Sequence, residues 1–391
     1  MNNVKFMLLT LAQLHKPVIK NTVLFRSFMG QYNDNPKYVS EELHRRCPEI
    51  KTVWAVRDGK KEDFPDYAEL VELDSAEYIR YISRAEVVVD NYSGCRSNFL
   101  GNGNIIKKLI LPVVGKHKKG QLNISTWHGT PLKHIALDEP KYKKSKHSRA
   151  YINADVLMAG CRVTADAFST ALNWDKPIMM CGTPRNDLLF EDNAEKMKAK
   201  LGLPQDKKII MFAPTFRDSV EMSGISQLGD IDFERLFDVL NKKFGGEWCF
   251  VFRSHNLVMK KIQENGLKVN DKIINGNAYS DMAEYLSCTD VLLTDYSSSM
   301  FDFALTGKPC FLYTPDLADY RSNERGFYFD ISSTPFPIAD TFQELVDNIR
   351  NFDDSGYRNN VKLFLESIGN TENGTASEKT VDKILEHMKK R

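Results

Sequence analysis

The chain has 391 residues, 42% of them apolar and 27% charged, which leaves room for two or three domains with sizeable cores. A disordered tail, a collagen-like rod and a disulfide miniprotein are excluded. Lys and Arg total 53 against 52 Asp and Glu, a net charge of +1, which argues against general nucleic-acid binding across the surface.

The first apolar stretch, 4–14, is interrupted by Thr10 and Gln13, and no small-residue cleavage site follows, so neither a signal peptide nor a membrane span is expected. Val4, Met7, Leu8, Leu11 and Leu14 share one helical face, which suits either an interfacial helix or one packed on a lobe. Short β-rich runs then predict strands at 22–25, 52–56, 87–90, 123–126 and 156–159. Helices are expected between them, over 36–46 with Asn35 as cap and Pro36 at the first position, and over 76–83. A polar tract at 191–205, ending in Gly202-Leu203-Pro204, reads as a lobe boundary. A second series predicts strands at 208–213, 248–253, 291–294 and 310–313, and helices at 233–243, 282–287 and 298–306. The last helix, 376–390, carries Val381, Ile384, Leu385 and Met388 at helical spacing and should dock on a lobe. Two such series predict an α/β protein of two Rossmann-type, doubly wound parallel-sheet lobes with ligands at the carboxyl ends of their strands. The expected divisions are 1–195, 196–373 and 374–391.

The seven cysteines are spread singly, with no CxxC pair, as reduced and mostly buried thiols in a cytosolic protein would be. No Walker loop and no Gly-x-Gly-x-x-Gly turn is present, and no His/Asp/Glu cluster has metal-ligand spacing. What remains is a set of polar groups at predicted strand ends. His128 follows the 123–126 strand at once, in the run Thr126-Trp127-His128-Gly129-Thr130-Pro131-Leu132-Lys133, where an imidazole can accept a hydroxyl proton. Arg253 and His255 end a strand of the second series and offer a cation and an imidazole to a phosphate. Ser297 and Ser298 open a short helix as a candidate anion site, although N-capping alone would also explain a serine there. Arg321, Glu324 and Arg325 share a loop suited to pyrophosphate and to sugar or glycerol hydroxyls. Thr215 and Arg217 close the first strand of the second series and should line the same cleft.

Together these blocks resemble the CDP-glycerol glycerophosphotransferase family of teichoic acid and capsule synthesis. The most specific are 126–133, 213–218, 253–255 and 294–327, and the likeness runs from Ser27-Phe28 and Asn35-Pro36 to Gly374-Thr375-Ala376-Ser377. The resemblance implies a GT-B-like pair of lobes facing a cleft, with the nucleotide donor on the second lobe and the acceptor on the first. The family's two essential histidines fall on His128 and His255. The implied reaction is attack by an acceptor hydroxyl on the β-phosphorus of a CDP-alditol, releasing CMP. His128 would be the general base; His255, Arg253, the Ser297–Ser298 turn and Arg321 or Arg325 would hold the pyrophosphate. One departure is the turn Arg253-Ser254-His255-Asn256, where the family usually has proline after the histidine. No cofactor is implied, although a divalent cation accompanying the donor pyrophosphate is compatible with the set. CDP-ribitol users share the same blocks, so the donor is read as CDP-glycerol or CDP-ribitol. A sugar-transferring GT-B enzyme and a non-catalytic nucleotide or polyanion binder are the competing readings.

The near-zero net charge conceals an uneven distribution. Between 107 and 149 eleven Lys or Arg residues face only Asp138 and Glu139, a net of +9 around His128. Lys116, Lys118, Lys119, Lys133, Lys143 and Lys144, with Gly129 and Thr130, are accordingly assigned to the acceptor and membrane side. The polyanionic, lipid-linked or polymeric acceptor that the resemblance implies suits such a face, and so does an anionic membrane surface. The apolar run 105–114, flanked by lysines, suits either such a membrane contact or a crossover helix or strand of the sheet. The expected location is cytoplasmic, peripheral on the inner face of the membrane.

Overall fold

The computed structural model describes residues 3–57, 61–91, 118–143, 154–215, 228–253, 272–277, 279–317 and 326–390. The chain divides into two units: Met1–Gly129, Ser145–Asp187 and Thr371–Arg391 form the first, and Thr130–Lys144 with Leu188–Asn370 form the second.

The first unit is built on seven strands: β1 (Ile19–Arg26), β2 (Lys51–Val56), β3 (Glu69–Glu72), β4 (Ala85–Asp90), β5 (Leu122–Ser125), β6 (Val156–Ala159) and β7 (Ile178–Met180). They lie in the order β3-β2-β1-β4-β5-β6-β7, every pair parallel. The central strands are buried on both faces, which is why β4 (Ala-Glu-Val-Val-Val-Asp) reads as a continuous β-branched run without alternation. Val23, Phe25, Trp54, Val87 and Val89 fill one face of the sheet, and Val381 and Ile384 of the last helix, Ala376–Lys389, pack into that core. Leu24, Val53 and Val88 fill the other face with Tyr78, Ile79 and Ile82 of the helix Ala76–Arg84.

The second unit repeats the pattern with six strands: β8 (Lys208–Ala213), β9 (Trp248–Phe252), β10 (Ile273–Asn275), β11 (Val291–Thr294), β12 (Cys310–Tyr313) and β13 (Ile338–Ala339). Their order, β10-β9-β8-β11-β12-β13, is again all parallel. Numbered within each unit, the first six strands follow the order 3-2-1-4-5-6, the dinucleotide-fold arrangement.

The structure departs from expectation at two boundaries. The tract expected to separate the lobes contains the helix Ala194–Leu201, and its Lys200 pairs with the buried Glu284 of the second unit, Nζ to Oε1 2.8 Å. The units instead divide between Asp187 and Leu188. The helix expected from Pro36 starts at Asp34, and Asn35 is wholly buried inside its first turn instead of capping it. The cysteines among the described residues are unpaired, and all but Cys47 are buried. Burial pushes the Cys181 and Cys288 thiols up to about 12, so neither is a nucleophile at neutral pH.

Candidate active site

In an open parallel sheet the ligand crevice lies at the carboxyl ends of the strands where their order reverses, here β1 and β4. Arg26 and Asp90 end those two strands as a buried ion pair, Nε to Oδ2 2.5 Å, and Arg26 Nη1 also donates to the Tyr78 hydroxyl at 3.1 Å. The next strand, β5, runs out into Thr126-Trp127-His128-Gly129. Trp127 has φ 55° and Gly129 φ 112°. Glycine takes such an angle freely, whereas for tryptophan it costs on the order of 1–3 kcal/mol and must be held in place by its surroundings. Asn35 holds it: Nδ2 donates to the Trp127 carbonyl at 2.8 Å and to that of Thr126 at 3.2 Å, while Oδ1 accepts the Arg185 N–H at 3.0 Å.

The turn delivers His128 to the surface with the Trp127 indole stacked on it, ring centroids 4.2 Å apart. Its Nδ1 lies 3.2 Å from the Asn91 carbonyl. A carbonyl can only accept, so Nδ1 carries the proton and Nε2 is the basic nitrogen. Although the ring reaches solvent, the protein mass around it desolvates the charged form, and this largest influence lowers the imidazole from its ordinary value. Asp34 and the Asn91 carbonyl oppose that lowering, and Arg185 adds to it. The net effect favours a neutral imidazole at pH 7, the form a general base requires.

In the second unit the order reverses between β8 and β11. The wholly buried Asp295, just past β11, ties their ends together: its Oδ1 accepts the Thr215 N–H and hydroxyl, both at 2.7 Å, and the Tyr296 N–H at 2.6 Å. Ser298 precedes the six-residue helix Ser299–Ala304 without a side-chain capping bond, and the Ser297 hydroxyl accepts from that of Ser299 at 3.0 Å. The Arg253 guanidinium is engaged by backbone carbonyls. Its Nη1 donates to the carbonyls of Gly276 and Tyr279 at 2.6 and 2.7 Å, Nη2 donates to that of Ser280 at 2.7 Å, and the guanidinium lies 4.8 Å from the centroid of the Tyr285 ring. Three of its five N–H groups thus clamp the loop that follows β10.

His255, Arg217, Arg321, Glu324, Arg325, Lys116 and Lys144, like the run 105–114, lie outside the described residues. Thr130 and Lys133 belong to the second unit, where Lys133 forms an antiparallel bridge with Phe327, and His134 N–H donates to the Gly326 carbonyl at 2.9 Å. Residues 133–134 therefore pair with 326–327 within the second unit. Lys119 is exposed and Lys143 ends the short helix Pro140–Lys143. Lys118 is half-buried, its ammonium donating to the carbonyls of Gln13 and Lys16 in the turn that follows the helix Asn3–Leu11. Among the described residues no group of three His, Cys, Asp or Glu is placed to hold a metal ion. Asp34, Asn91 and Arg185 escaped the sequence reading, and Asp295 stood in its 294–327 block with no role given to it. Only the neighbourhood of Asn35-Pro36 hinted at the first of them.

A model described as CDP-glycerol:poly(glycerophosphate) glycerophosphotransferase matches residues 8–386. The teichoic acid poly(glycerol phosphate) polymerase of Staphylococcus epidermidis is 30% identical over 388 residues, covering 94% of this chain and 51% of its own length. This chain thus spans about half the length of that curated relative. The teichoic acid glycerol-phosphate transferase of Staphylococcus aureus is 28% identical, with 96% of each chain covered. Among solved structures, a histidine-to-asparagine variant of the wall teichoic acid polymerase TagF with CDPG superposes with a TM-score of 0.80 at 29% identity, covering 99% of this chain and 94% of that one.

Proposed function

The chain belongs to the CDP-glycerol:poly(glycerophosphate) glycerophosphotransferase family, and on that premise we propose that it transfers glycerol phosphate from CDP-glycerol to a hydroxyl of a lipid-linked or polymeric acceptor. The acceptor oxygen attacks the β-phosphorus, the bond to the α-phosphate oxygen breaks, and CMP leaves. The observation that carries this reading is His128, anchored through Nδ1–H with Nε2 free to take the acceptor proton as the new P–O bond forms. The first unit handles the acceptor and the second the donor. Phosphoryl transfer asks a protein chiefly for positioning and charge stabilisation. In this reading His255, Arg217, Arg321 and Arg325 supply charge to the pyrophosphate and Glu324 binds donor hydroxyls, with Ser297 and Ser298 lining the second unit's strand ends beside the Thr215–Asp295 tie. Arg253 shapes the donor loop.

Attachment to an anionic membrane forms part of the same proposal. Among the described residues no helix is long and apolar enough to cross a membrane. The first helix, Asn3–Leu11, buries Thr10 and leaves Leu8 and Leu11 58% and 37% exposed beside the exposed Lys5, an arrangement that suits an interfacial contact. Flotation with anionic vesicles should fall when Leu8 and Leu11 are both replaced by aspartate; unchanged flotation removes the membrane from the proposal.

The decisive experiment supplies CDP-glycerol, CDP-ribitol and nucleotide sugars in turn, with a glycerol-phosphate acceptor, and identifies the nucleotide released. CMP from CDP-glycerol is expected. CMP from CDP-ribitol alone reassigns the donor, release of a nucleoside diphosphate from a sugar donor makes the enzyme a glycosyltransferase, and tight binding without turnover makes it a binder. His128→Ala should abolish CMP release with the fold retained, and near-normal turnover would remove His128 from the chemistry.

A further inference from the structure

Three segments distant in sequence converge behind His128. Asn91, 1% exposed, accepts the ring's Nδ1–H with its backbone carbonyl at 3.2 Å. Its side-chain Nδ2 donates to Asp34 Oδ2 at 2.6 Å. Asp34 Oδ1 in turn accepts from Arg185 Nη1 and from the Asn35 N–H, each at 2.8 Å. An acidic residue in the first turn of a helix ordinarily serves the helix dipole or caps its N–H groups. Two features set Asp34 apart. Its backbone is held at φ 57°, a left-handed angle uncommon outside glycine. Its second oxygen is engaged not by the helix but by the residue that fixes the imidazole.

We propose that Asp34 is a positioning residue for His128, acting through Asn91, and that Arg185 balances its charge. The chain Asp34–Asn91–His128 fixes the tautomer and the direction of Nε2, while the carboxylate and guanidinium, the two charged groups that act on the ring among the described residues, set how readily it takes a proton. The inference rests on His128 being the base.

Two substitutions test it. Asp34→Asn keeps shape and removes charge, and Arg185→Gln removes the opposing charge. His128 can be followed by NMR with ring-labelled histidine, its signal assigned by loss in His128→Gln, and this readout does not depend on turnover. Removing the Asp34 charge should lower the ring's midpoint by about half a pH unit or more, and removing Arg185 should raise it. In Asp34→Asn, kcat should fall about 10- to 100-fold with the donor KM within about twofold, because misdirection of the base affects the chemical step and not donor binding. Folded variants in which the ring titrates as in the parent and kcat stays within about twofold overturn the proposal. If Asp34→Asn does not fold, Arg185→Gln decides alone; if neither folds, the network is scaffolding and the proposal fails. Failure of the underlying reading is distinct: His128→Ala would then retain turnover whatever the two variants do.

Discussion

Replacing Asn35 by alanine removes three hydrogen bonds from a site with no solvent exposure: those to the carbonyls of Thr126 and Trp127, and that from the Arg185 N–H. At about 1 kcal/mol net for each bond, and with buried partners left short of replacements, the loss should reach about 3–4 kcal/mol. Against a typical domain stability of roughly 5–15 kcal/mol this is a large fraction. The strained Trp127 backbone then loses its restraint and relaxes, carrying His128 away from its position. Asn35→Asp should be no better, because it keeps the acceptor but turns a carboxylate oxygen towards two carbonyls. Urea unfolding followed by tryptophan emission is an apt assay, since Trp54, Trp127 and Trp174 all belong to the first unit and only Trp248 to the second. Both variants should unfold at lower urea, and any folded population should release CMP at least about tenfold more slowly. An unchanged midpoint in both variants, with normal turnover, would refute the role given to Asn35.

Further outcomes follow from the same geometry. Arg253→Lys should speed hydrogen exchange in the 276–280 loop and raise the donor KM several-fold, because one ammonium cannot span three carbonyls; unchanged exchange would contradict the clamp. Gly160→Ala would drive a methyl into Glu372 Oε1 and to within 2.7 Å of Thr183 Oγ1, and should destabilise the first unit by about 1–3 kcal/mol in the same urea assay. The acid limb of kcat/KM should lie below 6.5, the ordinary histidine value, since His128 is lowered in the folded protein and its base form is lost only as pH falls through that lowered value. An acid limb above 6.5 would contradict this.

The central strands of both sheets were legible because burial on two faces demands continuous apolar runs; 156–159, 208–213, 291–294 and 310–313 coincide with observed strands. The four strands that the sequence did not disclose, β3, β7, β10 and β13, are the four sheet edges. They are only two to four residues long and mostly half-exposed, as in Glu-Leu-Val-Glu of β3, so no hydrophobic pattern marks them. The candidate site shows the same division. His128 was visible because a strand end and a glycine turn announce it locally. Asp34 and Arg185 were not, since their bond joins residues 151 positions apart and each reads alone as an ordinary surface charge. Lys118 shows the converse limit: a lysine count records charge, but not that an ammonium donates to two backbone carbonyls.

The path of the backbone has a consequence for how this protein can change. Its two units are threaded through each other in sequence, with the chain passing from one to the other after Gly129, Lys144, Asp187 and Asn370. No single cut yields either unit whole. A fragment ending at Asp187 carries a stretch that belongs to its neighbour and lacks the last helix, whose Val381 and Ile384 complete its core. A one-crossover chimera joined at Asp187 would therefore pack the first unit's sheet from one parent against a last helix from the other. New specificity in such an architecture must come by substitution at strand ends, residue by residue, and not by exchange of a ready-made module.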